Sequence, residues 1–392
     1  MKILLCHNHY QQPGGEQLAV EGLEGLLRSK GHQVIPYYEN NAAIAGYSLW
    51  DKFQFLANTV YSRKTYRAVR GIVEDQRPEV AHVHNVFPLI SPSIYCALRD
   101  AGVPIVQTVH NFRLMCPNGL FYTRGMVCER CKLGNTVHAI RRRCYRHSYV
   151  FSALYAFAIT WHRKVGTFEA IDRFIALTGF SARKLVEGGL APWEKIAVLG
   201  NFVAEPLPAP GSFSSRDPYV VYLGRLSPEK GVEILLQAMS TLPHLRLKIL
   251  GDGPLAETMS SFVRRQRMSN IEFLGYVVGP AKLDLIRRAL ASVMPSTCYE
   301  NFPLAVIESL SLGTPVVVSD TGSLPYVLEN GQSGLVFRSG DSHDLASKLD
   351  YLASYPEEAL IMGQKGLHEI RQKYCASAHY EGLMRVYQGV LN

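Results

Sequence analysis

Ser296-Thr297-Cys298-Tyr299-Glu300-Asn301-Phe302-Pro303-Leu304-Ala305-Val306-Ile307-Glu308 is the stretch on which the reading of this chain turns. An apolar run, Ala291–Met294, precedes it and another, Pro315–Val318, follows. Strand, loop, helix and strand in that order make a βαβ unit, and βαβ units build parallel sheets. Pro303 fits the first helical position, which puts Glu300 and Asn301 in the loop ahead of the helix. The N–H groups of Leu304 and Ala305 then lack helical acceptors and form an anion site. Glu308, one turn beyond Leu304, shares its face. The two carboxylates can each accept hydrogen bonds from hydroxyls on a ligand. An acidic helix start that merely stabilises the dipole would explain Glu300, but not an acid within an otherwise apolar helix.

The same alternation extends both ways. Upstream, strand-like runs fall at Lys2–His7, Val34–Tyr37, Val80–His84, Ile105–His110, Phe174–Leu177 and Ile196–Leu199, with helical patterns at Glu16–Lys30 and Ser91–Ala101. Ala204–Ser212, rich in proline and small residues, reads as a linker. Beyond it the pattern restarts with strands Tyr219–Leu223, Leu247–Leu250 and Ile271–Phe273 and helices Gly231–Ser240 and Pro254–Arg267. The expectation is an α/β protein of two parallel-sheet domains, 1–203 and 217–373, joined by 204–216.

Ligands of open parallel sheets bind beyond the carboxyl ends of the strands. Three further turns lie there. Gly14-Gly15 could bring backbone N–H groups close to an anion, or be a plain turn. In Leu223-Gly224-Arg225-Leu226-Ser227-Pro228-Glu229-Lys230-Gly231, Arg225 and Lys230 could neutralise a diphosphate, or be two solvated cations. Leu250-Gly251-Asp252-Gly253-Pro254 leaves room for a ligand, or makes a tight turn.

The 392 residues are 47% hydrophobic and 19% charged, which excludes a disordered chain or a small disulfide-stapled one. The net charge of +8 is uneven. Residues 1–203 hold 24 basic and 14 acidic side chains, and 204–392 hold 17 and 19. Ten of the basic residues, against Glu129 alone, lie between Arg113 and Lys164, so a partner touching one face is expected there. The apolar start is too short for a signal peptide and no run reaches the ~18 residues of a membrane span. Eight cysteines in such a chain point to reduced thiols and a cytoplasmic location.

Taken together, Glu300-x7-Glu308, Gly-Arg-Leu-Ser-Pro-Glu-Lys-Gly from Gly224 and Gly-Asp-Gly-Pro from Gly251 resemble glycosyltransferase family 4, the retaining nucleotide-sugar transferases of GT-B fold. Pro78–Asn85 and Thr108-Val109-His110-Asn111 match that family's first domain. The resemblance covers nearly the whole chain. It implies two Rossmann-like domains facing a cleft, and a closing helix near 374–392 packed on the first domain. It implies that Arg225 and Lys230 hold the donor diphosphate, Glu308 the ribose and Glu300 the sugar hydroxyls. Backbone of Asn301, Phe302, Pro303, Leu304 and Ala305 would contact sugar and phosphate, and Gly14 and Gly15 would close on the phosphate. His110 would sit beside the reacting carbon, with the base near Gly251 and Val277. A UDP-sugar donor, a glycan or lipid-linked acceptor and catalysis without a cofactor follow from the same likeness. Another GT-B enzyme, such as a phosphorylase or epimerase, fits Arg225, Lys230 and the paired glutamates less well.

Cys116, Cys128, Cys131 and Cys144 lie within one insertion, about 113–164, and Cys128-x-x-Cys131 has the spacing that lets two sulfurs share an ion. A structural zinc site is expected, with His138 or His147 as substitute ligands; free thiols are the plain alternative. Next to it Arg141-Arg142-Arg143-Cys144-Tyr145-Arg146-His147 and the aromatic segment Tyr149–Trp161 suit an anionic membrane surface at the inner face of the cell membrane. A core helix with a basic end is the competing reading. Nucleic acid is not expected, because no binding module accompanies the charge.

Overall fold

The structure, a computed structural model, describes residues 1–11, 14–203 and 217–392; the expected linker 204–216 lies outside the described residues. The chain divides into two units. The first comprises Met1–Thr123, Cys128–Asn201 and His379–Asn392, and the second Arg124–Val127 and Phe202–Ala378.

The strands of the first unit are β1 (Lys2–His9), β2 (Gln33–Asn40), β3 (Val80–Val83) and β4 (Ile105–Val109). Next in the chain come the two-residue strands β5 (Tyr122–Thr123) and β6 (Met126–Val127), the latter in the second unit, and then β7 (Arg173–Ala176) and β8 (Ile196–Val198) of the first. Six of them form one parallel sheet in the order β2-β1-β3-β4-β7-β8. Its helices are α1 (Gly15–Ser29), α2 (Leu49–Val60), α3 (Arg63–Gln76), α4 (Ser93–Asp100), α5 (Val137–Arg141), α6 (Tyr149–Lys164) and α7 (Gly179–Glu187). Every residue of β3 and β4 is buried, as parallel strands covered on both faces require.

The second sheet has the order β11-β10-β9-β12-β13-β14, again all parallel. Its strands are β9 (Asp217–Leu223), β10 (Arg246–Leu250), β11 (Ile271–Gly275), β12 (Ala289–Met294), β13 (Val316–Ser319) and β14 (Gly334–Phe337). They are joined by α8 (Val232–Ser240), α9 (Ala256–Arg265), α10 (Gly279–Arg288), α11 (Leu304–Ser311), α12 (Ser342–Ser354) and α13 (Pro356–Lys373). The last helix, α14 (Ala376–Leu391), belongs to the first unit from His379 onward. Its Leu383, Val386 and Tyr387 share a core with Ile3, Leu5, Val80 and Val106, and the Tyr387 hydroxyl bonds His82 Nδ1 at 2.7 Å.

Each sheet reverses direction once. The chain builds outward from β1 to β2, then crosses to place β3 on the other side of β1; β9 and β12 stand in the same relation. Strand loops part at such a point and open a crevice beyond the carboxyl ends. The turns after β1 and β3, and those after β9 and β12, are thereby placed where a ligand can enter.

Helix starts differ from the sequence reading where a residue is not helical. Gly231 precedes α8 with φ +67°, and Pro303, with ψ 91°, precedes α11 instead of opening it. Helix α3 was not legible, because only Thr65 and Val69 on it are buried and its apolar stripe is thin.

Candidate functional site

In the second unit, the loop after β9 is knit to the loop after β10: Leu226 N–H donates to Asp252 O (2.9 Å) and Leu255 N–H to Leu226 O (3.0 Å). A Cβ on Gly251 would lie 1.8 Å from Gly224 O. The close approach of the two loops requires glycine at 251.

Lys230 ends the short turn before α8, and Glu300 lies in the loop after β12. Lys230 Nζ donates to Glu300 Oε1 at 2.6 Å, and the same oxygen accepts from Ser296 Oγ at 2.6 Å. Burial alone would lower the lysine's pKa, but Glu300 outweighs it and the ammonium is held well above its ordinary value. Burial would likewise raise Glu300, yet Lys230 and the Ser296 hydroxyl keep it below the ordinary carboxylate range. Both groups are therefore charged at neutral pH. Arg225 is exposed and has no ion pair or side-chain hydrogen bond among the described residues.

Glu308, on α11, is bound by Lys282 of α10, Nζ to Oε1 at 2.6 Å. Lys282 carries no mark in the sequence, where 26 residues and an intervening strand hide the pairing. At the open end of α11, Pro303 O accepts from Val306 and Ile307, which leaves the N–H groups of Leu304 and Ala305 facing outward without helical acceptors. Asn301 is buried, the Phe302 ring meets Tyr374 edge-on at 5.5 Å, and Val277 packs near Leu250. These groups gather a cation pair, two carboxylates and free backbone donors around the crevice between β9 and β12. That combination can hold a phosphate and the hydroxyls of a sugar or ribose.

In the first unit, Gly14 caps α1 and Gly15 begins it. Gly14 has φ −139° and a Cβ there would meet nothing within 4 Å, so its own fold does not require glycine. His110 follows β4, and its Nε2 bonds His84 Nδ1 at 2.7 Å. Burial, with His82 nearby, pushes the His110 pKa down to about 3, so the ring is neutral.

Glu16, which the sequence reading passed over as a helix start, is buried among these groups. Its Oε2 accepts from Tyr10 Oη (3.0 Å) and Asn111 Nδ2 (3.1 Å). His7 Nδ1 lies 4.0 Å from Oε1, and Arg113 is the cation that acts on it. Burial raises its pKa from 4.5 to about 7, although Tyr10, Arg113 and Asn111 pull the other way. The folded state thus holds a proton that the unfolded chain releases. The stability this gives is complete below pH ~4.5 and is lost as pH rises through ~7, about 3 kcal/mol in all. Glu16→Gln should therefore gain stability over the parent at pH 8 but not at pH 4.5, measured by denaturant unfolding at both. A gap independent of pH would contradict it.

In the insertion, none of the four cysteines is in a disulfide, and Cys116 and Cys131 are buried. Cys116 Sγ bonds Asn118 Oδ1 at 3.0 Å and Cys144 Sγ bonds Thr123 Oγ1 at 3.7 Å. Among the described residues, no group of three or more His, Cys, Asp or Glu side chains stands together as a metal site. Helix α6 buries Ser152, Tyr155, Ala156, Ile159 and His162, and exposes Tyr149, Val150, Phe157 and Trp161. One face of the helix is thus core, as the competing reading has it, and the other is exposed. No helix among the described residues is long and apolar enough to cross a membrane.

Comparison with known proteins agrees with this layout. The family model described as Glycosyltransferase Family 4 matches residues 13–205, and that described as Glycosyl transferases group 1 matches 205–368. An uncharacterized glycosyltransferase of Methanocaldococcus jannaschii is 22% identical over 99% of this chain and 98% of its own length. A phosphatidyl-myo-inositol mannosyltransferase of Mycobacterium leprae is 25% identical over 99% and 96%. Among solved structures, Anabaena HepE in complex with UDP superposes with a TM-score of 0.70 at 16% identity, covering 99% of this chain and 100% of that one. With two parallel six-stranded sheets and both family models matched in succession, the chain belongs to glycosyltransferase family 4 and has the GT-B fold.

Proposed function

We propose that this glycosyltransferase moves a hexose or hexosamine, with retention, from a UDP-sugar held by the second unit to a glycan or lipid-linked acceptor held by the first, in cell-surface polysaccharide synthesis. The observation that carries the donor half is the Lys230–Glu300–Ser296 cluster beside the open end of α11. Cleaving a sugar–phosphate bond builds negative charge on the diphosphate. Lys230 and the N–H groups of Leu304 and Ala305 are fixed donors for that charge, which lower the barrier without reorganising, and Arg225 adds an exposed cation. Glu308 suits ribose hydroxyls and Glu300 those of the sugar. UDP is favoured because HepE was solved with it. The test is a panel of UDP- and GDP-sugars assayed for nucleotide release, with the product anomer read by NMR. Release from no member, or an inverted anomer, would overturn the corresponding part of the proposal.

Docking at an anionic membrane is supported by the exposed face of α6. Tyr149, Val150, Phe157 and Trp161 stand on it, with Val137 nearby on α5, and Arg141, Arg143 and Arg146 are exposed beside them. The Arg143 guanidinium lies 5.3 Å over the Tyr149 ring. Rings that enter the headgroup layer beside cations that meet its charge are what such a surface needs. The protein is expected to float with vesicles containing anionic lipid and not with neutral ones. A Phe157→Ser/Trp161→Ser variant should stay at the bottom of the gradient, and flotation unchanged in that variant would refute the assignment.

For the insertion we propose one structural zinc ion on Cys116, Cys128, Cys131 and Cys144. Support comes from the mutual influence of their thiols around Cys131, and from backbone N–H groups of Phe121, Asn118 and Gly119 directed at the Cys116 sulfur. Purified protein should carry about one zinc per chain and melt lower after chelation. Metal-free protein of unchanged melting temperature would exclude the ion.

A further inference from the structure

Buried polar atoms in folded proteins nearly always have partners, and a cluster without them calls for a ligand or water. The crevice between β1 and β3 holds such a cluster. Among the described residues, His7 Nδ1 and Nε2, His9 Nδ1, Glu16 Oε1, His84 Nε2 and Arg113 Nε have no hydrogen-bond partner. His7 is 0% exposed, His84 4%, and the Glu16 side chain 11%. They come from separate segments. His7 lies on β1, His84 just beyond β3, and Glu16 in the first turn of α1. Parallel pairing brings them together, since Cys6 and Val83 are register partners. The rings of His7 and His84 stand edge to face at 6.2 Å, and the His84 and His110 rings stack at 5.0 Å.

The chemistry of this set is specific. Burial holds His7 and His84 neutral, and a neutral imidazole offers one N–H and one bare nitrogen. Once ionised, above pH ~7, Glu16 adds an acceptor at Oε1. Hydroxyl groups donate and accept at once, so they can satisfy such a mixture. A phosphate oxygen only accepts and would face the Glu16 carboxyl. Among the described residues Arg113 is the cation that acts on Glu16, and its guanidinium is engaged by the Tyr145 and Tyr155 rings at 5.2 and 5.5 Å.

We propose that His7, Glu16 and His84 form the acceptor subsite of the first unit and bind uncharged sugar or polyol hydroxyls, while any acceptor anion is met elsewhere. This rests on the reading of the chain as a UDP-sugar transferase whose first unit takes the acceptor. Glu16 Oε2 already receives two donors, so Glu16→Gln must keep its carbonyl there and turn an amide NH₂ toward the Oε1 position. An acceptor becomes a donor with no change in shape.

The test uses the full chain with UDP present at pH ~8, where Glu16 is ionised. Methyl α-D-glucopyranoside, methyl α-D-mannopyranoside and myo-inositol are the neutral probes, and glycerol 1-phosphate is the anionic one, each followed by saturation-transfer NMR. At least one neutral probe should bind, more tightly than glycerol 1-phosphate, and Glu16→Gln and His7→Gln should each weaken it fivefold or more. UDP affinity should stay the same in both. If one variant does not fold, the other gives the same reading. Absence of neutral-probe binding, preference for the phosphate, or equal binding by folded variants would overturn the proposal. So would variants that weaken UDP-glucose but not UDP, because the hydroxyls recognised would then be the donor's. Failure to bind UDP at all would instead overturn the donor reading.

Discussion

Lys230→Ala is expected to slow sugar transfer by about 10²–10³-fold, because a preorganised cation aimed at developing charge is worth that much. The loss should fall on kcat more than on KM for the donor, since the charge is greatest in the transition state. The substitution also strands Glu300, whose side chain is 13% exposed and whose Oε1 would keep only Ser296. Breaking a buried pair from one side costs about 3 kcal/mol or more. Combining Lys230→Ala with Glu300→Gln removes the stranded charge and should restore most of the stability but none of the rate. Initial rates with the best nucleotide sugar, alongside thermal melts, separate the two effects. A double variant with near-parental turnover would remove Lys230 from the mechanism.

The second large effect concerns folding. Gly231 lies at φ +67°, and a Cβ there would fall 1.9 Å from Pro295 O, a backbone atom at the end of β12. The left-handed conformation alone costs a side chain about 1–3 kcal/mol, and the overlap must be relieved by parting the loops after β9 and β12. Gly231→Ala should therefore lose more than about 3 kcal/mol in chemical denaturation. Activity should fall with it, because Pro295 adjoins Ser296 and the Glu300 loop. Gly14→Ala is the control. Its Cβ would meet nothing within 4 Å, so it should unfold with the parent. Equal stability of the Gly231→Ala protein would show that the two loops can separate freely.

The parallel α/β character was legible because its signals are local. Buried parallel strands are unbroken apolar runs such as Val80–Val83, and the turns after them carry glycine, proline and charge at neighbouring positions. For the same reason Arg225, Lys230, Glu300 and Glu308 could be picked out one by one. Their partners could not. Lys230 was read as a free cation for phosphate, yet it is also the counterion of Glu300, 70 residues away. Lys282 and Glu16 carried no local mark at all. One looks like a solvated helix lysine, and the other like an acid placed for the dipole of α1.

Most strands, the glycine- and proline-bearing turns after them, and the gathering of positive charge in one insertion can be read from the chain alone, whereas β14 and the short β5 and β6 cannot. Hydrophobic runs and turn chemistry act over a few residues, so they can be read without the rest of the chain. Only the tertiary structure decided which charges neutralise each other and which polar groups are left unpartnered. It set His7, Glu16 and His84 into one crevice, and it gave α6 a buried face and an exposed aromatic one. Those outcomes depend on strand order and register between segments far apart in the chain, and on desolvation, which no single residue carries in its own neighbourhood.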